Sequence, residues 1–567
     1  MRRPVFFIFT SFLKLLYSFF HIKNLITMKS VLIILAVFTC ITATFAQNNL
    51  LNKNSASTTI TKTDPQKGKF PGGRGSNEII VYTPAYGEKT GTNMWGIEAI
   101  IENGVVISVG DNNSTIPSSG FVVSGNGDAA RWITKNLTPG IEVSISDNQL
   151  VATNTPRSKT FYAEKIFNKA KENISDQKSN KHFKRYENSY LQISSKFKAS
   201  GSEEDADASL KAAYEFLYRT YPSRTKEWRA VWWNPTCKDA VEMEATFKDM
   251  AETGINMVCP QTIFSGTAIY PNAHPNLEQN PRFKGWDPLK EMIRLGKKYH
   301  IEVVPWVWVY YIGRKGVSPL IDSKKEWLSV SRTGKNYSDM EKGYHFFCQS
   351  EEKVDQFWIE VYENLFKNYD INALQLDYIR YPVSTPWDHD FCYCDRCTAK
   401  FKKQTGKDPK TINPNDHPDL WKQWEAFRIA NVDRIVSKIR NRFPKITLSA
   451  DVFPDVEQSL INKKQNWGEW LHNDYINEVY IMSYTADVSQ VKAHSDYLAG
   501  KIGKHQIAHV GLGPYLGLKP EILLEEIEVV QQYDNLNITL FSWNSLSPQH
   551  KEALKKGPFR SKAKGIK

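Results

Sequence analysis

Beyond residue 46 the sequence has no apolar run approaching the roughly 20 residues that span a bilayer, so the body of the chain is not an integral helical membrane protein. No Gly-x-Gly-x-x-Gly follows the first apolar strand of its long C-terminal part, which argues against a dinucleotide-binding sheet. No strand end there offers the His and Asp cluster of a deacetylase-like metal hydrolase, so that class ranks last. Cysteine is scarce, with seven in 567 residues. Acidic excess is absent too: 73 Lys+Arg face 61 Asp+Glu, a formal +12. Five basic and no acidic residues in 1–46, with seven basic and one acidic in 551–567, account for all but one of those charges. The body is nearly neutral, which excludes a nucleic-acid-binding face.

Residues 31–46, VLIILAVFTCITATFA, follow Lys29 and end in small residues, the pattern of a secretory signal peptide. Met28 is a better start for it than Met1, and the alternative is one long uncleaved amphipathic anchor. With 1–46 read as a leader, the protein is expected to be exported, in the periplasm, cell envelope or medium, with no stable membrane span after cleavage. Residues 47–76, polar and Gly-containing, read as a flexible tether. Short β-branched runs between Gly, Asn and Asp turns predict a small all-β domain over 77–155. A helical connector over 156–224 follows, then a long unit over 225–555 and a basic, solvated tail over 556–567.

From residue 225 onward, apolar strands alternate with amphipathic helices. Strands are expected at 228–233, 256–260, 302–307, 373–377, 447–451, 478–482, 506–510 and 539–543. Helices fall between them, including a single one over 456–471. Eight strand-helix units in a little over 300 residues predict an α/β fold of the (β/α)8 barrel class.

Reactive groups of such barrels lie at the carboxyl ends of the strands. The fourth strand ends in LQLDYIRYP and offers Asp377 and Arg380; the fifth, LSADVFPD, offers Asp451 and then Asp455; the sixth, IMSYTAD, offers Tyr484 and Asp487. Asn234, Gln261, Trp306, Trp308, Trp543 and Asn544 stand at other mouths. Paired carboxyls with aromatic faces and amides suit glycosidic bond cleavage: one carboxyl protonates the leaving oxygen, the other attacks or activates water, and flat rings hold sugars. Asp377 and Asp451 are the candidate catalytic pair, Asp455 and Asp487 further candidates for the acid from the fifth- and sixth-strand loops, and Arg380, Tyr484, Asn234, Gln261, Trp306, Trp308, Trp543 and Asn544 a substrate-binding wall. Asp377 in an ion pair with Arg380 or Arg428 is the structural alternative. Cys392-x-Cys394-x-x-Cys397 is too crowded for independent bridges and, with Cys348, offers four zinc ligands; one disulfide and two buried thiols is the alternative.

The segments EWRAVWW, GINMVCPQTIFSGTAIYP, VVPWVWVY, INALQLDYIRYP, WEAFRIANVDRIV, LSADVFPD, VYIMSY and LFSWNSL together resemble the family 10 glycosylhydrolase-like barrels over roughly residues 225–550. The resemblance implies an exported bacterial glycoside hydrolase acting on a cell-wall or other extracellular glycan, with peptidoglycan favoured. It makes Asp377 and Arg380 the surest site positions, supported by Arg428, and leaves the second carboxylate unfixed. FCYCDRC resembles the cysteine loop of family 42 β-galactosidases, which implies a structural zinc and no cofactor required for catalysis. The first domain resembles a β-rich module that accompanies such barrels. A barrel that binds glycan without turnover is the competing reading.

Overall fold

The protein, as a computed structural model, is described over residues 55–67, 74–75, 77–93, 96–110, 112–174, 181–503 and 506–566. The leader over 1–46 and residues 47–54 of the expected tether lie outside these. The chain divides into two units, residues 1–167 with 188–213 and residues 168–187 with 214–567.

In the first unit eight short strands make one sheet, in the order Ser55–Thr59, Gln149–Thr153, Glu142–Ser146, Val105–Val109, Ile97–Glu102, Gly120–Gly125, Ile80–Tyr82 and Lys62–Thr63. All neighbours are antiparallel except the last pair. The tether expectation therefore fails from Ser55 onward, where the chain supplies both edges of the sheet. Edge strands gain their energy from main-chain pairing and can stay polar, so a Ser/Thr-rich segment carries little apolar signal; Ile60 between the two strands is buried. The sheet also carries a helix, Gly127–Asn136, that the run of short β segments did not announce. It buries Ala129 and Ile133, and a Cβ at Gly125 would lie 2.7 Å from that of Ala129, so the glycine lets helix and strand approach.

Three helices, Pro156–Asn173, Lys181–Ser200 and Glu203–Thr220, occupy the connector region. In the second unit the barrel strands are Arg229–Trp233, Met257–Phe264, Glu302–Val303 continued by Trp306–Trp308, Ala373–Asp377, Thr447–Val452, Glu478–Met482, Ile507–Leu512 and Leu536–Phe541. All pair in parallel, and the first pairs with both the second and the eighth, which closes an eight-stranded (β/α)8 barrel. The helix Pro288–Tyr299 illustrates the local logic. Asp287 accepts from the Lys290 amide at 3.0 Å, proline opens the first turn, and Leu289, Met292 and Leu295 are buried on one face.

Three expectations are corrected in the barrel. The eighth strand spans 536–541 rather than 539–543, because Ser542 and Ser545 exchange hydrogen bonds and start a turn. The segment read as one helix over 456–471 is two, Val456–Lys463 and Trp467–His472, broken at Lys464 (φ 55°). The break lets the Gln465 amide clamp the fifth strand's end, donating to the Asp451 carbonyl at 3.1 Å and accepting from the Phe453 amide at 3.2 Å. The basic tail keeps its Arg560, Lys562 and Lys564 side chains exposed, but its main chain is anchored: Lys564 exchanges main-chain bonds with Thr225 and Glu227, and buried Arg229 donates to the carbonyls of Phe559 and Ser561. Phe559 is buried, so apolar and main-chain contacts hold a segment whose charge alone suggests solvent. Among the described residues no helix is long and apolar enough to cross a membrane.

Candidate active site

Side chains alternate along a strand, so within LQLD residues 375 and 377 face the same way. Trp232 of the first strand donates its indole N–H to Gln375 Oε1 at 3.0 Å. Those two strands are not neighbours, so this bond crosses the barrel interior and Gln375 faces inward. Asp377 then faces inward as well, one step nearer the mouth. Leu376 pairs with Ala450, which makes Asp377 and Asp451 the next in-register positions of adjacent strands, with the strands about 4.8 Å apart. The two predicted carboxylates are thus brought together.

Trp306 Nε1 donates to Asp377 Oδ2 at 3.0 Å, and the Tyr378 amide donates to Oδ1 at 2.6 Å. Tyr378 adopts φ 49°, a left-handed conformation that costs a bulky residue about 1–3 kcal/mol and turns its N–H onto the carboxylate. Burial holds the Asp377 carboxyl up at about 6, against the Tyr378 amide, the Arg380 charge and the Trp306 N–H, which favour ionisation. Burial first, then the like charge of Asp377, push Asp451 well above the carboxylate range. Two interacting carboxyls in one buried site titrate as a pair, each ionised group opposing ionisation of the other.

An aromatic ring surrounds them. Trp232 meets Tyr484 and Phe541 edge-on at 6.3 and 5.9 Å, and Tyr515 packs on both Tyr484 and Phe541. Trp232 fits because the seventh strand has glycine beside it: a Cβ at Gly511 would lie 2.7 Å from the indole. Trp308 pairs in register with Asp377 and packs against Phe264, Tyr311 and Tyr378. Gln261 pairs in register with Trp306. Gln261 Oε1 and Asp451 Oδ1 are buried without a hydrogen-bond partner among the described residues, while the Trp308 N–H acts on Asp377 and favours its ionised form.

Other sequence candidates take structural posts. Asn544 accepts from the Asn234 amide and donates to its carbonyl, both at 3.0 Å, and so ties the first strand's end to the eighth's. Trp543 is buried with the Lys551 ammonium 4.0 Å above its ring, and Phe541 stands among the mouth aromatics instead. Asp455 and Asp487 cap the helices that follow them. Arg428 does not support Asp377: it pairs with Asp390 and Glu425 and holds the Phe391 carbonyl at 2.8 Å. Arg380 makes its ion pair with Glu341 at 2.8 Å, although its charge still acts on Asp377. Glu341 was not foreseen, because it lies in an irregular insertion with no periodic signal.

Cys348, Cys392, Cys394 and Cys397 are brought together, all Sγ atoms within 4.8 Å of one another. Cys348 Sγ lies 3.5–3.7 Å from the other three, far beyond the roughly 2.05 Å of a disulfide. Tetrahedral zinc with bonds of about 2.3 Å would space its sulfurs about 3.8 Å apart, so the cradle fits that ion. The Val330 amide donates to Cys392 Sγ at 3.3 Å, an outer contact that orients this sulfur toward the other three.

A closed parallel barrel with paired carboxyls and aromatic walls at its carboxyl-terminal mouth has the architecture of glycoside hydrolases. The chain belongs to the glycosyl hydrolase-like 10 family, whose model matches residues 225–534. Among solved structures it is similar to α-L-fucosidase isoenzyme 2 from Paenibacillus thiaminolyticus, with 16% identity over 58% of this chain and 48% of that one and a TM-score of 0.42. The chain therefore spans about half the length of the fucosidase. It is also similar to the β-amylase catalytic domain from Paenibacillus polymyxa (12%, 59% and 98%, TM-score 0.44). The spore cortex-lytic enzyme SleL from Bacillus megaterium QM B1551 is a third (7%, 61% and 76%, TM-score 0.36). Such distant likenesses say nothing of substrate. No curated protein matches the chain.

Proposed function

We propose that the protein is an exported glycoside hydrolase that cleaves O-glycosidic bonds of a cell-wall or extracellular glycan, with peptidoglycan glycan strands the favoured substrate. The observation that carries this reading is the in-register pair Asp377 and Asp451, two carboxyls pushed to different pKa values at one mouth. Asp451 keeps the proton and is the general acid toward the leaving oxygen. Asp377, oriented by Trp306 and the Tyr378 amide, is the carboxylate that attacks the anomeric carbon or activates water. Adjacent strands about 4.8 Å apart favour the short carboxyl separation of about 5–5.5 Å and hence retention of configuration. Tyr484, Tyr515 and Phe541 supply apolar faces for sugar rings, and Gln261 offers an acceptor for hydroxyls.

The cysteine cradle, in the same reading, holds a structural zinc. That ion would fix the loop Asp390–Cys397 to the segment at Cys348 and takes no part in bond cleavage.

Release of reducing ends from purified peptidoglycan glycan strands, wild type against Asp377→Asn, tests the proposal. Loss of about 10²–10⁴-fold is expected. Unchanged release by the variant, or binding without release by the wild type, overturns it in favour of another nucleophile or of a binding protein.

A further inference from the structure

Two indole N–H groups stand beside Asp451, and each is committed to another acceptor. Trp306 donates to Asp377 Oδ2 and Trp232 to Gln375 Oε1, both at 3.0 Å. Trp232 packs on Tyr480, the in-register neighbour of Asp451, with ring centroids 6.0 Å apart. Burial and the charge of Asp377 oppose ionisation of Asp451, and against them both indoles favour it, so both N–H groups act within its reach. Gln375 pairs with Ser449, two residues before Asp451, and so lies one layer beneath the carboxyl pair, fully buried. An indole N–H can only donate, which obliges the carbonyl oxygen of the Gln375 amide to face Trp232.

A general acid must hold its proton until the leaving oxygen takes it. A donor left free beside Asp451 would stabilise the carboxylate and draw that proton off early. With Trp306 on Asp377 and Trp232 on Gln375, Asp451 Oδ1 has no partner among the described residues and can carry the proton. The other titratable groups acting with Asp451 are Asp377, Cys259, Tyr480 and Tyr484; burial pushes the last three up, so they stay neutral near pH 7.

We infer that Gln375 is a positioning residue for the acid: it holds the Trp232 N–H away from Asp451, so that the carboxyl meets the leaving oxygen still protonated. The inference rests on the reading of Asp451 as the general acid and adds the residue that keeps it one. Gln375 acts through Trp232 and touches no reacting atom.

The pH dependence of kcat/KM on peptidoglycan glycan strands is the first test, because its basic limb reports the acid. Gln375→Met keeps the length of the side chain but loses the acceptor, which releases the Trp232 N–H to Asp451. The limb should then fall by about one pH unit, a tenfold loss of activity on the alkaline side. Gln375→Glu retains an acceptor and should hold the limb at or above its wild-type position. A limb unmoved in Gln375→Met, or lowered alike in both variants, overturns the inference. The Trp232 indole proton, observed by NMR with isotope-labelled tryptophan and assigned by its loss in Trp232→Phe, needs no turnover. At alkaline pH it should move downfield in Gln375→Met, as it binds a carboxylate, and return when Asp451→Asn is added. An upfield move, the mark of a bond simply lost, overturns the inference as well. A protein that shows the downfield move but turns over no glycan overturns the glycosidase reading alone.

Discussion

Trp306 donates its indole N–H to the Asp377 carboxylate from the neighbouring strand, at 3.0 Å and with both side chains buried. This bond favours the ionised form, so its loss in Trp306→Phe should raise the Asp377 pKa above about 6. The acid limb of the kcat/KM profile is expected to move to higher pH, with activity at neutral pH lower by roughly 10- to 100-fold. A profile whose limb stays in place would show that Asp377 does not govern it.

The same carboxyls link stability to pH. Both are raised in the folded state, so the proton-bound forms favour folding. Below about pH 4 that contribution is complete, and the Asp377 part is lost as pH rises through about 6, by up to about 3 kcal/mol. Asp377→Asn should therefore melt higher than wild type at pH 7 and much like it at pH 4, while losing activity. Melting curves at the two pH values decide the matter.

Gly511 is the seat of Trp232. In Gly511→Ala the new methyl meets two indole atoms at 2.7–2.8 Å and the Ile481 carbonyl at 2.8 Å. Overpacking of this kind costs about 1–3 kcal/mol. Because Trp232 also holds Gln375 across the barrel, glycan turnover should fall together with thermal stability. A variant that keeps its melting temperature and its activity would mean that the indole moves aside freely.

The thiols give a metal readout. Elemental analysis of the purified protein is expected to find about one zinc per chain, and Cys397→Ser should lose it and melt at lower temperature. Two thiols lost to a disulfide on titration, with no zinc, is the contrary result.

Strands and helices of the barrel were legible because short, mostly apolar runs such as ALQL and VYIM alternate with segments of helical period, and a strand buried on both faces is largely apolar. Asp377 was legible for the same reason, being a charge that ends such a run. Polar edge strands at Ser55–Thr59 and Lys62–Thr63 were not, since main-chain pairing leaves no side-chain signature. Nor was the contrast between Phe541 and Trp543, which depends on where one strand stops. Glu341 gains meaning only when an insertion is folded against Arg380, a contact across 39 residues. Arg428 shows the reverse error: its place after the fourth strand suggested Asp377, whereas Asp390 is the partner it reaches.

The floor of the barrel carries a consequence for how the molecule is made. Arg229, on the first strand, is satisfied by the carbonyl of Phe559, 330 residues later. Glu227 and the Arg224 carbonyl take other N–H groups of this guanidinium, and the carbonyls at 558–561 complete the set that lets it be buried, so the seating of the first strand depends on them too. Closing the ring thus joins residues hundreds of positions apart, a contact that carries a large loop-closure entropy and makes this barrel a fold of high contact order.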